Sequence, residues 1–83
     1  MCKRIGVVGI VMEEPQEVLE DLNRYLGMYK DIIIGRMGIP GRNGKASVIS
    51  LIVEGTTDEI SGLTGKIGNL KGVSVKTALT KNK

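Results

Sequence analysis

Apolar side chains occur in two kinds of pattern along the chain. Four segments predict β-strands: the first three are rich in Ile and Val, and the last alternates in hydrophobicity. Two further segments repeat apolar residues every three or four positions, which predicts helices with one buried face. The predicted strands are 3–11, 31–39, 46–54 and 73–79, and the helices begin at Pro15 and Thr56.

Local signals set the ends of the two helices. Pro15 suits the first turn of a helix, where its missing N–H is not needed, and Gly27 is the predicted stop. Thr56 and Glu59 have the spacing of a capping box, in which each side chain satisfies a free backbone N–H. Gly72 is predicted to end the turn before the last strand.

The predicted order is strand, helix, strand, strand, helix, strand. This β-α-β-β-α-β order is the split pattern of ferredoxin-like folds. We therefore expect a single α+β domain over residues 1–83, with two helices on one face of a four-stranded antiparallel sheet. The first and third strands should be central, and the second and fourth should lie at the edges.

Alternation also predicts which side chains share a face of the sheet, because residues two apart point the same way. The larger apolar set of each strand is expected to meet the helices. The sets placed there are Ile5, Val7 and Val11; Ile33, Met37 and Ile39; Ile49, Leu51 and Val53; and Val73, Val75 and Leu79. The smaller sets predict a second apolar face made of Val8, Ile10, Ile32, Ile34, Val48 and Ile52.

An antiparallel sheet with helices on one side usually presents polar side chains to water on the other. An apolar second face would favour aggregation if it stayed exposed. We therefore expect the chain to associate with itself through this face, as a homodimer or a homotetramer, with Arg36 at the rim.

Composition excludes several kinds of chemistry. The chain has no histidine and one cysteine, Cys2, so no disulfide within the chain, no metal site and no cofactor is expected. No catalytic residues are predicted, because the acidic pair considered as a candidate, Glu13 and Glu14, is more typical of a helix start. The apolar run after residue 4 is too short to span a membrane, and the expected location is cytoplasmic.

The glycine-rich stretch 35–45 reads GRMGIPGRNGK. Gly and Asn tolerate positive φ, so the stretch mainly predicts a β-hairpin. Residues 41–44 have the form of a KH nucleotide-binding loop, but that loop joins helices and this one joins strands. Arg36 and Gly38 are left as candidates for contact with an effector or a partner, against the alternative of a solvated edge arginine.

The sequence resembles the family of iron-only hydrogenase system regulators over nearly its whole length. The residues that carry the resemblance are segments 35–40 (GRMGIP), 47–51 (SVISL), 55–61 (GTTDEIS) and 63–66 (LTGK). The family is ACT-like and similar to the C-terminal domain of nickel-responsive repressors. The resemblance implies a βαββαβ domain that associates with copies of itself and binds a small effector.

Two functions follow as hypotheses. The first is a non-enzymatic regulator or sensor, partnered by itself, by an effector bordered by Glu13 and Arg36, and by hydrogenase-maturation or transcription proteins. The second is a nucleic-acid-binding regulator that uses Arg36, Arg42, Lys45 and the C-terminal lysines. The second is disfavoured, because the net charge is only +3 and the sequence offers no DNA-reading element.

Overall fold

The computed structural model describes residues 3–41 and 46–80, and these form one sheet and two helices. The elements are β1 (Arg4–Met12), α1 (Pro15–Met28), β2 (Ile33–Ile39), β3 (Ser47–Gly55), α2 (Thr57–Gly68) and β4 (Val73–Leu79). A single 3-10 turn (Lys30–Ile32) joins α1 to β2. The centre of the predicted hairpin, residues 42–45, lies outside the described residues.

The sheet is antiparallel and has the order β2-β3-β1-β4. The predicted fold class and strand placement are therefore confirmed, with β1 and β3 in the centre. Ile10 lies opposite Ile49 on one side and Val75 on the other. The two helices pack on this face, and the core between the layers is aliphatic.

Helix α1 begins at Pro15 as predicted and buries Val18, Leu22 and Leu26. It continues through Gly27 and ends at Met28, one residue later than predicted. The 3-10 turn then takes up residues 30–32, so β2 begins at Ile33 and not at residue 31. Ile32 is consequently buried against the core before the strand begins.

Helix α2 has the predicted capping box. The backbone N–H of Thr56 donates to Oε1 of Glu59 at 2.8 Å, and the N–H of Glu59 donates to Oγ1 of Thr56 at 3.1 Å. Gly62 gives room to the tyrosine that follows α1, since a Cβ there would lie 2.8 Å from the Tyr29 hydroxyl oxygen. Gly72, with φ of +71°, turns the chain into β4.

The predicted facing of β1 is wrong. Val8 and Ile10 are fully buried on the helix side, whereas Ile5 and Val7 are nearly half exposed on the other. The strand extends one residue beyond the predicted end at Val11, so Met12 joins the buried set. Val8 and Ile10 also lie opposite Leu51 and Ile49, which the helices cover.

A β-bulge in β2 changes the facing of that strand. Ile33 lies opposite Val53, but Gly35 lies opposite Ile52, so Ile34 is an extra residue in the ladder. Beyond the bulge the alternation is reversed relative to Ile33. The predicted placement of three residues is therefore wrong: Met37 and Ile39 are on the uncovered side, and Arg36 is on the helix side.

Of the six residues predicted to form the uncovered face, three are exposed and three are not. Ile34, Val48 and Ile52 are exposed. Val8, Ile10 and Ile32 belong to the buried core. The first two follow the facing of β1, and Ile32 lies in the 3-10 turn before β2.

The corrected facing of β1 predicts opposite effects for two isoleucines of the same strand. Ile10→Ala should lower the free energy of unfolding by about 2–5 kcal/mol, because it leaves a cavity in the core. Ile5→Ala should cost much less, since Ile5 is 47% exposed and Ile10 is 0% exposed. Urea denaturation of both variants at low protein concentration measures the difference. Equal losses would contradict this facing.

The capping box predicts a loss of stability in Thr56→Ala. The N–H of Glu59 would lose its acceptor, which typically costs about 0.5–2 kcal/mol. Thr57→Ala is the matched control, because Thr57 is exposed and follows the cap position. Thermal or urea unfolding should separate the two variants, and a Thr57→Ala loss as large as that of Thr56→Ala would argue against the cap.

Candidate functional site

The first candidate site is a cleft between the C-terminal half of α1 and the edge strand β2, which we call the Arg36 cleft. Its volume is about 360 Å³. The residues that line it are Asn23, Leu26, Gly27, Lys30, Ile33 and Arg36. Two cationic side chains therefore stand over a partly apolar floor.

The bulge in β2 places Arg36 in this cleft. Arg36 lies opposite Leu51, whose side chain is in the core, so its own side chain leaves the sheet toward α1. Nη2 of Arg36 donates to Oδ1 of Asn23 at 3.5 Å, which is a long hydrogen bond. The guanidinium is thus held loosely, with most of its donors available.

A second candidate site lies at the end of the sheet where β1 leads into α1, and we call it the strand-end cleft. It has two adjoining parts. An acidic part of about 610 Å³ includes Glu13, Glu14 and Gln16, and an apolar part of about 220 Å³ includes Gly38 and Val48. Pro15, Leu19, Pro40 and Ser47 line both parts.

Backbone hydrogen bonds fix both sides of the strand-end cleft. The N–H of Glu13 donates to the carbonyl oxygen of Gly72 at 2.9 Å. The N–H of Gly41 donates to Oγ of Ser47 at 2.8 Å. The rim of this cleft is acidic, which suits a cationic or neutral ligand better than an anion.

The acidic rim has one perturbed titration. A hydrogen bond with Glu17, together with the negative charges of Glu17 and Glu13 and slight desolvation, raises the pKa of Glu14. Glu17 also lies 3.8 Å from Nζ of Lys71, in an exposed ion pair. The carboxyl group of Glu14 therefore holds its proton to a higher pH than an isolated glutamate does.

The structure separates residues that the sequence grouped into one site. Glu13 and Gly38 border adjoining parts of the strand-end cleft, whereas Arg36 lines a different cleft. Sequence reasoning missed Asn23 and Lys30, which share the Arg36 cleft. Asn23, Leu26 and Gly27 have the spacing of one face of α1, and Lys30 continues that spacing into the 3-10 turn.

The third candidate surface is the sheet face that no helix covers, which we call the open face. Its apolar residues are exposed: Ile5, Val7 and Val11 of β1, Met37 and Ile39 of β2, and Val48 and Ile52 of β3. Gly9 and Ser50 lie opposite each other in the middle of it. Within the paired strands, Glu54 and Lys76 supply its charges.

Residues 3–41 and 46–80 contain no group of three side chains placed to hold a metal ion. No helix in the same ranges is long and apolar enough to cross a bilayer.

The strand order, the two helices on one face and the uncovered second face define a small α+β domain of the ferredoxin-like class. The chain belongs to the TM1266-like family, whose model matches residues 4–77 and whose description reads "Iron-only hydrogenase system regulator, putative". The family resemblance noted in the sequence is thereby confirmed. No curated protein matches the chain.

Solved structures agree with this assignment. Uncharacterized protein TM1266 from Thermotoga maritima is 33% identical, with a TM-score of 0.89 over 95% of this chain and 99% of that one. A PII-like signaling protein from Thermus thermophilus is similar in fold, at 13% identity and a TM-score of 0.58 over 96% of this chain and 93% of that one. A formyltetrahydrofolate deformylase from Pseudomonas putida shares the fold at 11% identity and a TM-score of 0.62, over 89% of this chain and 28% of that one.

The effect of Glu17 on the pKa of Glu14 predicts a change in titration. Glu17→Gln should lower the pKa of Glu14, because it removes the largest causes of the upward shift. The raised pKa of Glu14 also means that its contribution to stability is present at low pH and is lost as the pH rises through that raised value. Carboxyl NMR titration of Glu14 in both proteins measures the shift. Glu20→Gln is the control, and an equal shift in that variant would contradict the assignment.

Proposed function

We propose that the protein is a non-enzymatic regulatory subunit that acts as a homo-oligomer and binds a small effector. Membership of a family described as regulatory supports the first part. The observation that carries the homo-oligomer is the open face, where exposed branched side chains occupy three of the four strands. The absence of histidine from the whole sequence agrees with a role other than acid–base catalysis.

The open face has a relief that suits packing against another sheet. Val7 and Ile52 form one apolar row, and Val11 and Val48 form another. Between these rows lie Gly9 and Ser50, whose small side chains leave a furrow across the central strands. Met37, which is 68% exposed, stands in the same row at the edge of this furrow. A second copy could place its own Met37 into the furrow.

The charges of the open face favour a second copy of the chain as the occupant. Glu54 lies near one end of the central strands, and Lys76 lies on the edge strand β4. The face therefore has one acid and one base, and two copies can meet without net repulsion. A two-fold interface uses the same patch on both partners, so a neutral apolar patch satisfies it.

The apolar surface of the open face that association would bury is large for a domain of this size. Full burial of an aliphatic side chain contributes roughly 1.5–3 kcal/mol, so about half of that remains to be gained for each exposed one. Seven such side chains correspond to roughly 5–10 kcal/mol before the cost of association. Net stabilities of whole domains are only about 5–15 kcal/mol.

The described basic residues do not favour the nucleic-acid alternative. Arg36 lies on the helix side of β2, Lys76 lies on the open face, and Lys71 is close to Glu17. These cations do not share one surface that could follow a phosphate backbone. Arg42, Lys45, Lys81 and Lys83 lie outside the described residues.

Association through the open face predicts a charge-sensitive dimer or tetramer. Wild-type protein at about 100 µM should be an oligomer, since a free energy of about −8 kcal/mol already gives a micromolar dissociation constant. Val7→Lys and Ile52→Lys should be monomers, because each places a charge within the apolar rows. Size-exclusion chromatography with light scattering measures the mass of each protein.

Met28→Lys is the control. Met28 is also an exposed apolar residue, but it lies at the end of α1 on the helix side and lines neither cleft, so this variant should keep the wild-type mass. A folded wild-type monomer at about 100 µM would refute the proposal and would favour a different protein as the occupant. Unchanged masses in Val7→Lys and Ile52→Lys would place any interface elsewhere.

A further inference from the structure

We propose that the Arg36 cleft binds a small organic oxyanion, with its phosphate or carboxylate group on Arg36 and Lys30 and its apolar body on Leu26 and Ile33. This inference rests on the proposed effector role and names the site and the class of ligand. It does not depend on the open face, because Arg36 leaves the sheet on the opposite side.

The first argument is the unused binding capacity of Arg36. A guanidinium has five N–H donors in a planar fork that matches carboxylate and phosphate oxygens. Within residues 3–41 and 46–80, its hydrogen-bond partner is Asn23 alone, at 3.5 Å. The same residues provide no carboxylate within ion-pair distance of Arg36 or Lys30. The cleft therefore presents two positive charges without an internal counter-ion.

The local helix dipole opposes an anion here but does not outweigh the cations. The cleft lies beside the C-terminal half of α1, where the macrodipole corresponds to about −0.5 charge. Arg36 and Lys30 together supply two full positive charges. The charged side chains that line this cleft are thus both cationic, in contrast to the strand-end cleft with Glu13 and Glu14 on its rim.

The shape of the cleft limits the size of the ligand. A volume of about 360 Å³ is near the lower end of small-molecule sites. Leu26 is buried and Ile33 is half-buried, so they form a floor that an aliphatic or aromatic body can cover. Gly27 adds no side chain above this floor, and nothing lies within 4 Å of where its Cβ would be.

Phenyl phosphate is a suitable probe, because it joins one phosphate group to one compact apolar ring. Isothermal titration calorimetry and backbone NMR shifts should show that it binds wild-type protein, with the largest shifts at Gly27, Lys30 and Ile33. Benzoate tests whether a carboxylate replaces the phosphate, inorganic phosphate tests the anionic group alone, and benzyl alcohol tests the ring alone. Benzyl alcohol should bind at least about tenfold more weakly than phenyl phosphate.

Arg36→Gln should weaken the binding of phenyl phosphate by about tenfold or more, since charge-assisted hydrogen bonds are lost. Arg36→Lys keeps the charge without the planar fork, so its affinity for phenyl phosphate should lie between those of wild-type protein and Arg36→Gln. Arg24→Gln is the matched control, because Arg24 is on α1 but is paired with Asp21 outside the cleft. This variant should bind phenyl phosphate as tightly as wild-type protein does. Circular dichroism checks that each variant is folded.

Three results would overturn the inference: no binding of phenyl phosphate at 10 mM (roughly −3 kcal/mol or weaker), equal losses in Arg36→Gln and Arg24→Gln, or NMR shifts confined to the strand-end cleft. Each of these would leave the oligomer proposal intact if the wild-type mass remains oligomeric. Conversely, a monomeric protein that binds phenyl phosphate at Arg36 would refute the oligomer and support the cleft.

Discussion

Two helices can cover only one face of a four-stranded sheet, and this constraint determines most of what the molecule can do. The covered face takes Val8, Ile10 and Leu51 into the core and excludes water from them. The other face then has to meet solvent, although seven of its side chains are large and apolar. In most antiparallel sheets the second face is polar. Here three of four strands keep it apolar, so the fold has an uncovered surface that a partner would stabilise.

The bulge at Ile34 distributes the residues of β2 between the two sides of the sheet. Without an extra residue, strict alternation from Ile33 would place Met37 and Ile39 toward the helices and Arg36 toward solvent on the open face. With it, Met37 extends the open face, and Arg36 joins Asn23 and Lys30 beside α1. Bulges are common next to functional sites because they re-aim side chains in this way. One inserted residue thus contributes to two separate surfaces.

Sequence reasoning succeeded where local signals decide the structure. Pro15 and the Thr56–Glu59 box mark helix starts by backbone hydrogen bonding alone, and the order of elements leaves few topologies. It failed where a single residue decides which face of the sheet the alternating side chains of a strand point to. Counting Met12 as part of β1 makes the two apolar sets of that strand equal in number, so set size no longer selects the buried face. The bulge at Ile34 leaves no residue signature that separates it from a regular strand. The composition of the candidate site was therefore predictable only in part: Arg36 was found, but its neighbours on α1 were not.

The fold alone does not assign a function, because it also occurs in proteins that share little sequence with this one, including a signaling protein and one segment of a deformylase. What distinguishes this chain is how β2 connects its surfaces. Arg36 and Met37 are adjacent in sequence and point to opposite sides of an edge strand. A ligand that orders Arg36 against α1 restrains the same backbone that positions Met37 on the open face. In a regulatory domain, a ligand acts by favouring one arrangement over another. The free energy by which it shifts that equilibrium equals the difference between its binding free energies to the two arrangements. Strand β2 is hydrogen-bonded to β3 alone and lies at an edge of the sheet, so a change in its position disturbs fewer backbone hydrogen bonds than a change in a central strand would.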